Sequence, residues 1–184
     1  MIGYVMVPGI GGSDDAHWQT RWERRWGDEI AVRVEPSSWS QPDLGDWVAA
    51  IDRAAADLEP RVDDIVLIAH SLGCWAVAEW LRPSAGRPPR GVLLVAPPDP
   101  TGDAFPAAEA PSFTRLDVRS LPCPSVVVAS TNDPYCDLGT AEGLARGWGS
   151  EFVVVGDLGH LNSASGLGDW PQGREALHRA FADD

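Results

Sequence analysis

The run Asp64-Ile65-Val66-Leu67-Ile68-Ala69 constrains the fold more than any other stretch of the chain. It is apolar without the every-second-residue alternation of a half-exposed strand, so a strand here must be buried on both faces. Such a strand belongs in a parallel sheet with helices above and below. After His70-Ser71 the chain is apolar again from Leu72 to about Arg82, ahead of Pro83, on nearly every side of a helical wheel. That is the pattern of a helix packed against the same sheet. The chain must therefore turn sharply from strand to helix at Ser71.

The remaining sequence repeats this alternation. Gly3 to Pro8 is nearly all apolar and predicts a first buried strand, ended by Gly9-Ile10-Gly11-Gly12. Ser13 is a candidate helix cap with Asp14 and Asp15 in the first turn, and Trp18, Trp22 and Trp26 form an apolar stripe before Gly27, read as core packing. Ile30–Val34 predicts a second strand. Leu44, Trp47, Val48, Ile51, Ala55 and Leu58 follow helical spacing up to Pro60. Further strands are expected at Gly91–Ala96, Ser125–Ser130 and Glu151–Val155, with helices over Leu138–Trp148 and Gln172–Phe181. The reading is a single α/β domain over residues 1–184, with about six mostly parallel strands, right-handed crossovers and helices on both faces. One long irregular segment, Pro97 to Pro124, leaves the strand C-termini, where open α/β sheets place ligands, and is expected to be functional or mobile.

Composition removes several functions. A formal net charge of −13 opposes nucleic acid and anionic membranes, because binding phosphates requires basic surface. No apolar run approaches the roughly 20 residues that span a bilayer, and Met1–Ile10 lacks the positive flank of a signal peptide, so a cytoplasmic location is expected. Cys74, Cys123 and Cys136 form no C-x-x-C pair and no histidines cluster at ligand spacing; free thiols are expected, with no metal.

The chemistry centres on Ala69-His70-Ser71-Leu72-Gly73. Small residues two positions either side of a serine permit a strand-to-helix turn that lifts its hydroxyl clear of the sheet, a nucleophile elbow. Later strands deliver their loops to the same edge, so an acid and a base are expected in Ser130-Thr131-Asn132-Asp133-Pro134-Tyr135 and Asp157-Leu158-Gly159-His160-Leu161-Asn162. His160 is the candidate base. His17 and His178 fall on the first and last helices, and His70 follows a different backbone direction from Ser71. For the acid, Asp133 competes with Asp99 and is favoured because Pro134 restricts it to an extended or turn conformation and Asn132 can brace that turn. Asp137 suits a helix start and Asp157 a solvated loop. The backbone N–H groups of Leu72 and Ile10 are the candidate oxyanion donors.

Taken together, Pro8-Gly9 with Trp18 downstream, Ala69-His70-Ser71-Leu72-Gly73-Cys74, Ser130 through Tyr135, Gly159-His160-Leu161-Asn162 and Gly166-Leu167-Gly168-Asp169-Trp170-Pro171 resemble the small serine hydrolases of the retinoblastoma-binding protein 9 and YdeN type. That resemblance spans nearly the whole chain. It implies a compact, capless α/β-hydrolase that needs no cofactor, with Ser71, Asp133 and His160 as its triad and no triad role for Asp99. The sequence has Ala69 where such elbows commonly carry glycine. It also lacks the L-x-C-x-E signature, since Leu72-Gly73-Cys74-Trp75-Ala76 and Leu121-Pro122-Cys123-Pro124-Ser125 end without glutamate, so no pocket-protein partner is implied.

Two other classes compete. A dinucleotide site would use Gly9-Ile10-Gly11 and Glu35, but Asp14 stands at the third glycine position and, with Asp15, would repel a pyrophosphate. A non-catalytic binding protein on the same fold is the other. The favoured reading is a hydrolase of small esters or amides acting on a small-molecule acyl substrate. Its shallow pocket is expected to be built from Pro97–Pro124, the Gly9 loop and Trp39 or Trp170.

Overall fold

The computed structural model describes residues 1–82 and 88–181. Six strands form one fully parallel sheet: β1 (Ile2–Val7), β2 (Ala31–Arg33), β3 (Asp64–His70), β4 (Gly91–Val95), β5 (Ser125–Ala129) and β6 (Glu151–Val154). Their order across the sheet is β2-β1-β3-β4-β5-β6. The chain runs outward from β1 to β2, crosses back to β3 and then continues the other way, so the topological switch lies between β1 and β3. Val7 pairs with Ala69, His70 with Val95, Val95 with Val128 and Ala129 with Val154. This register brings the segments after β1, β3, β4, β5 and β6 to a common edge.

The helices are α1 (Trp18–Trp26), α2 (Leu44–Leu58), α3 (Leu72–Trp80), α4 (Leu138–Trp148) and α5 (Pro171–Phe181). Strand alternation divides the core between two faces. Leu67 and Ala69 of β3 join α2, α3 and α4 in one apolar cluster, while Val66 and Ile68 join α1 and α5 in the other. β3 through β5 are buried almost throughout, as the unalternating apolar runs required. Trp18 and Trp22 are 1 % exposed and pack against Trp170, with ring centroids 4.9 and 5.9 Å away, so the tryptophan stripe is core.

The first helix starts later than expected. Asp14 Oδ1 accepts from the N–H groups of Ala16 and His17, closing a turn ahead of the helix, and Ser13 Oγ donates to Gln19 Oε1 instead of capping. His17 is the cap, its Nδ1 accepting from Gln19 N. The helix α3 stops at Trp80, where the Arg82 N–H turns to Glu79 O; Pro83, read as its terminator, lies outside the described residues. The β4–β5 connection replaces a regular helix with the single 3₁₀ turn Pro111–Phe113, and it is packed rather than loose: Phe105, Ala110 and Phe113 are buried in the α2/α3/α4 cluster.

Candidate active site

Ser71 joins β3 to α3 with φ 53° and ψ −127°, a conformation that costs a non-glycine residue energy and persists only when its surroundings hold it. Its N–H donates to Val95 O at 2.9 Å, tying the corner to β4. Glycine is obligatory two residues on: a Cβ at Gly73 would stand 2.4 Å from Val7 O and 2.6 Å from Pro8 O. A Cβ at Gly9 would come within 2.8 Å of Ser71 Cβ, so the backbone after β1 passes directly against the serine. Ala69 is fully buried in regular β3 and has no positive φ, which is why alanine fits where such turns commonly carry glycine.

The two loops identified from sequence converge on this corner. His160 Nε2 lies 2.8 Å from Ser71 Oγ, and both oxygens of Asp133 lie 2.9 Å from His160 Nδ1. The Asp133 side chain is 3 % exposed and that of His160 9 %, so little water competes for these bonds. Asp99 is not in the group; its Oδ1 accepts from the N–H and hydroxyl of Thr101. Asn132 Oδ1 accepts from Ser130 Oγ at 2.9 Å, bracing its own turn, and from Gly159 N at 2.7 Å, reaching the loop that carries His160. Ser130 Oγ also lies 3.0 Å from Gly156 O, so its single hydrogen is shared between that oxygen and Asn132; it accepts from Leu158 N, and Thr131 Oγ1 donates to the Asp157 carboxylate. Asp137 caps α4 as its position implied.

A hollow of about 320 Å³ opens over Ser71 and His160. Gly9, Ile10 and Gly12 form one side, Asn162, Ser163 and Ala164 another, and Tyr135 lies with its ring centroid 4.4 Å from that of His160. The wall expected from Pro97–Pro124 is reduced to Pro106, because the rest of that segment is drawn away by burial of Phe105 and Phe113. Trp170 lines nothing here; it is 1 % exposed beneath Trp18 and Trp22. Trp39 stands behind Gly12, accepting from Gly11 N through its carbonyl, and does not line the hollow. Among the described residues, no protein group accepts from the Ile10 or Leu72 N–H.

Two residues at this edge carry weight that the sequence reading did not assign them. His17 and His70 both line the hollow; burial pushes the His17 pKa down to about 4, and His70, also buried, is pushed well below the ordinary imidazole value, again by burial first. Both rings are neutral near pH 7. A signal for His70 was present in strand alternation, which places it with Val66 and Ile68 on the α1/α5 face. The neighbouring thiol of Cys74 is no rival nucleophile, since burial pushes its pKa far above the ordinary thiol range.

A hydroxyl at hydrogen-bond distance from an imidazole whose other nitrogen faces a carboxylate is an arrangement that can be activated for attack on a carbonyl carbon. A family model described as serine hydrolase matches residues 4–179. The chain belongs to the serine hydrolase family. A YdeN-like hydrolase from Pectobacterium atrosepticum is 34% identical, over 98% of this chain and 90% of its own, with a TM-score of 0.81. The ydeN gene product of B. subtilis shares 22% identity over 99% of both chains at a TM-score of 0.73. Est1E of Butyrivibrio proteoclasticus, solved with ferulic acid, shares the fold at 12% identity and a TM-score of 0.72, covering 100% of this chain and 90% of its own. No curated protein matches in sequence. The chain is thus a small hydrolase of the YdeN type on an α/β-hydrolase fold. Among the described residues no helix is long and apolar enough to cross a membrane.

Proposed function

We propose that this serine hydrolase cleaves small carboxylic esters, with amides as slower substrates, through an acyl-enzyme on Ser71. The observation that carries the reading is the continuous contact from Ser71 Oγ through His160 to Asp133. In the first step His160 Nε2 takes the hydroxyl proton as Oγ bonds to the substrate carbonyl carbon. The same proton passes to the departing alcohol as its bond to that carbon breaks. Water then attacks the acyl-enzyme, giving its proton to His160, which returns it to Ser71 as the acid leaves. Asp133 stays ionised throughout, holding the tautomer with hydrogen on Nδ1 and stabilising the imidazolium. Leu72 N–H, at the N-terminus of α3, and Ile10 N–H, on the backbone that passes Ser71, receive the developing oxyanion.

Nothing in this sequence of steps calls for a cofactor, a metal or a protein partner. The substrate is read as small because the hollow, about 320 Å³, sits at the lower end of ligand-pocket sizes. Three unpaired cysteines support a reducing, cytoplasmic setting. A fluorophosphonate should add covalently to Ser71, and Ser71→Ala should remove both the adduct and hydrolysis of a short-chain activated ester. Intact mass showing no adduct on the folded protein would return the chain to the non-catalytic binding reading.

A further inference from the structure

The backbone at the His160 ring is pinned on both sides, and by different parts of the fold. Ahead of the ring, Asn132 and Ser130 hold the N–H groups of Gly159 and Leu158. Behind it, His70 Nε2 lies 2.9 Å from the carbonyl oxygen of His160, and the Trp18 indole N–H donates to the next carbonyl, that of Leu161, at 2.8 Å. A carbonyl oxygen only accepts, so the His70 bond requires the proton on Nε2. Both donors are buried, His70 at 5 % exposure and Trp18 at 1 %. They approach from the end of β3 and the start of α1.

Leu161 shows why such a grip matters. It is fully buried and held at a φ of 51°, where a branched side chain resides only if its surroundings over-determine it. Relaxing that turn would rotate the backbone on which the His160 ring is mounted. The ring must meet Ser71 Oγ and the Asp133 carboxylate at the same time, so a small rotation would weaken both contacts. His70 is also the residue immediately before Ser71, so one dipeptide at the end of β3 places the nucleophile and holds the base.

We propose that His70 and Trp18 are positioning residues, which fix the His160 ring between Ser71 and Asp133 by holding two successive carbonyls of its turn. The proposal rests on the reading of His160 as the general base. His70→Leu keeps bulk and removes the donor; His70→Gln replaces the donor at a similar reach. The expected result for His70→Leu is a kcat on the order of 10²-fold lower with KM within about twofold of the original, and a matching fall in the rate of fluorophosphonate labelling of Ser71. His70→Gln should recover most of that loss. Trp18→Phe should show the same kcat-only signature at roughly tenfold, and it carries the test if His70→Leu does not fold.

A low-field proton resonance from the His160–Asp133 bond should broaden in His70→Leu and return in His70→Gln, which a purely structural role for His70 would not produce. Unchanged kcat in folded His70→Leu and Trp18→Phe would overturn the proposal, as would a glutamine variant no better than the leucine one. His160→Ala separates the two levels. If it retains full hydrolysis, the base reading falls and the positioning role falls with it; if it is inactive while His70→Leu is fully active, only the positioning role falls.

Discussion

The loops after β5 and β6 and the long crossover between β4 and β5 leave the same sheet edge, yet they are held by opposite means. The first pair is laced by directional bonds: Asn132 to Gly159, Ser130 to Gly156 and Leu158, Thr131 to Asp157, and Asp133 to His160. The crossover is anchored by apolar burial of Phe105, Ala110 and Phe113, and it offers the site Pro106. Directional bonds fix where a particular atom points, which chemistry requires. Apolar burial fixes where a segment lies and tolerates modest shifts in any one atom. The contrast separates residues whose loss should be read in kcat from residues whose loss should be read in stability.

The largest test of that separation is Asp133→Asn. It leaves the loop pair in place but favours the wrong imidazole tautomer, so kcat should fall roughly 10⁴-fold with little change in the melting temperature. If Asp99→Asn had that effect instead, the assignment of the acid would be wrong. On the other side, Phe113→Ala opens a cavity against Trp47, whose ring centroid lies 5.6 Å away, and should cost about 3–5 kcal/mol in denaturant unfolding. Its kcat per folded molecule should stay near the original, and a collapse in kcat at unchanged stability would break the comparison.

Acid should sharpen the contrast further. The folded-state pKa of His17, about 4, lies below the ordinary 6.5, and His70 is shifted in the same direction. The unfolded chain therefore takes up protons first, so stability is full above about pH 6.5 and is lost progressively as pH falls toward 4. Thermal melts between pH 7.5 and 5 should show this fall. His17→Asn keeps a side chain able to cap α1 while removing the titration, and it should flatten the slope; an unchanged slope would show that His17 does not drive it. The smallest expected effect is that of Asn132→Ala, which removes one brace between the two loops and should lower kcat roughly tenfold, with a loss of stability near 1 kcal/mol.

Much of this arrangement was legible in the linear chain because its signals are local. Unalternating apolar runs specify strands buried on both faces. The small residues around Ser71 specify a turn that larger side chains cannot enter. Asp133 and His160 could be named because parallel crossovers return each loop to one edge. Where local rules erred, another residue won a competition. Asp14 captured the N–H groups that would have let Ser13 cap α1, and Phe105 and Phe113 drew the long crossover into the core and away from the pocket. Trp170 could not be placed by spacing, because whether it faced a ligand or Trp18 depended on how α5 crossed the sheet.

By itself, then, the sequence determined the parallel α/β architecture, the sharp strand-to-helix turn at Ser71 and the order in which the loops carrying Asp133 and His160 return to that edge, since each follows from periodicity and short-range sterics. Only the tertiary structure could show that Asp133, favoured on local grounds, is the aspartate that meets His160, what walls the hollow, and that His70 and Trp18 grip the turn behind the ring. Those are contacts between residues 27 to 143 positions apart. Their distances depend on how every intervening element packs, and no local propensity carries that information.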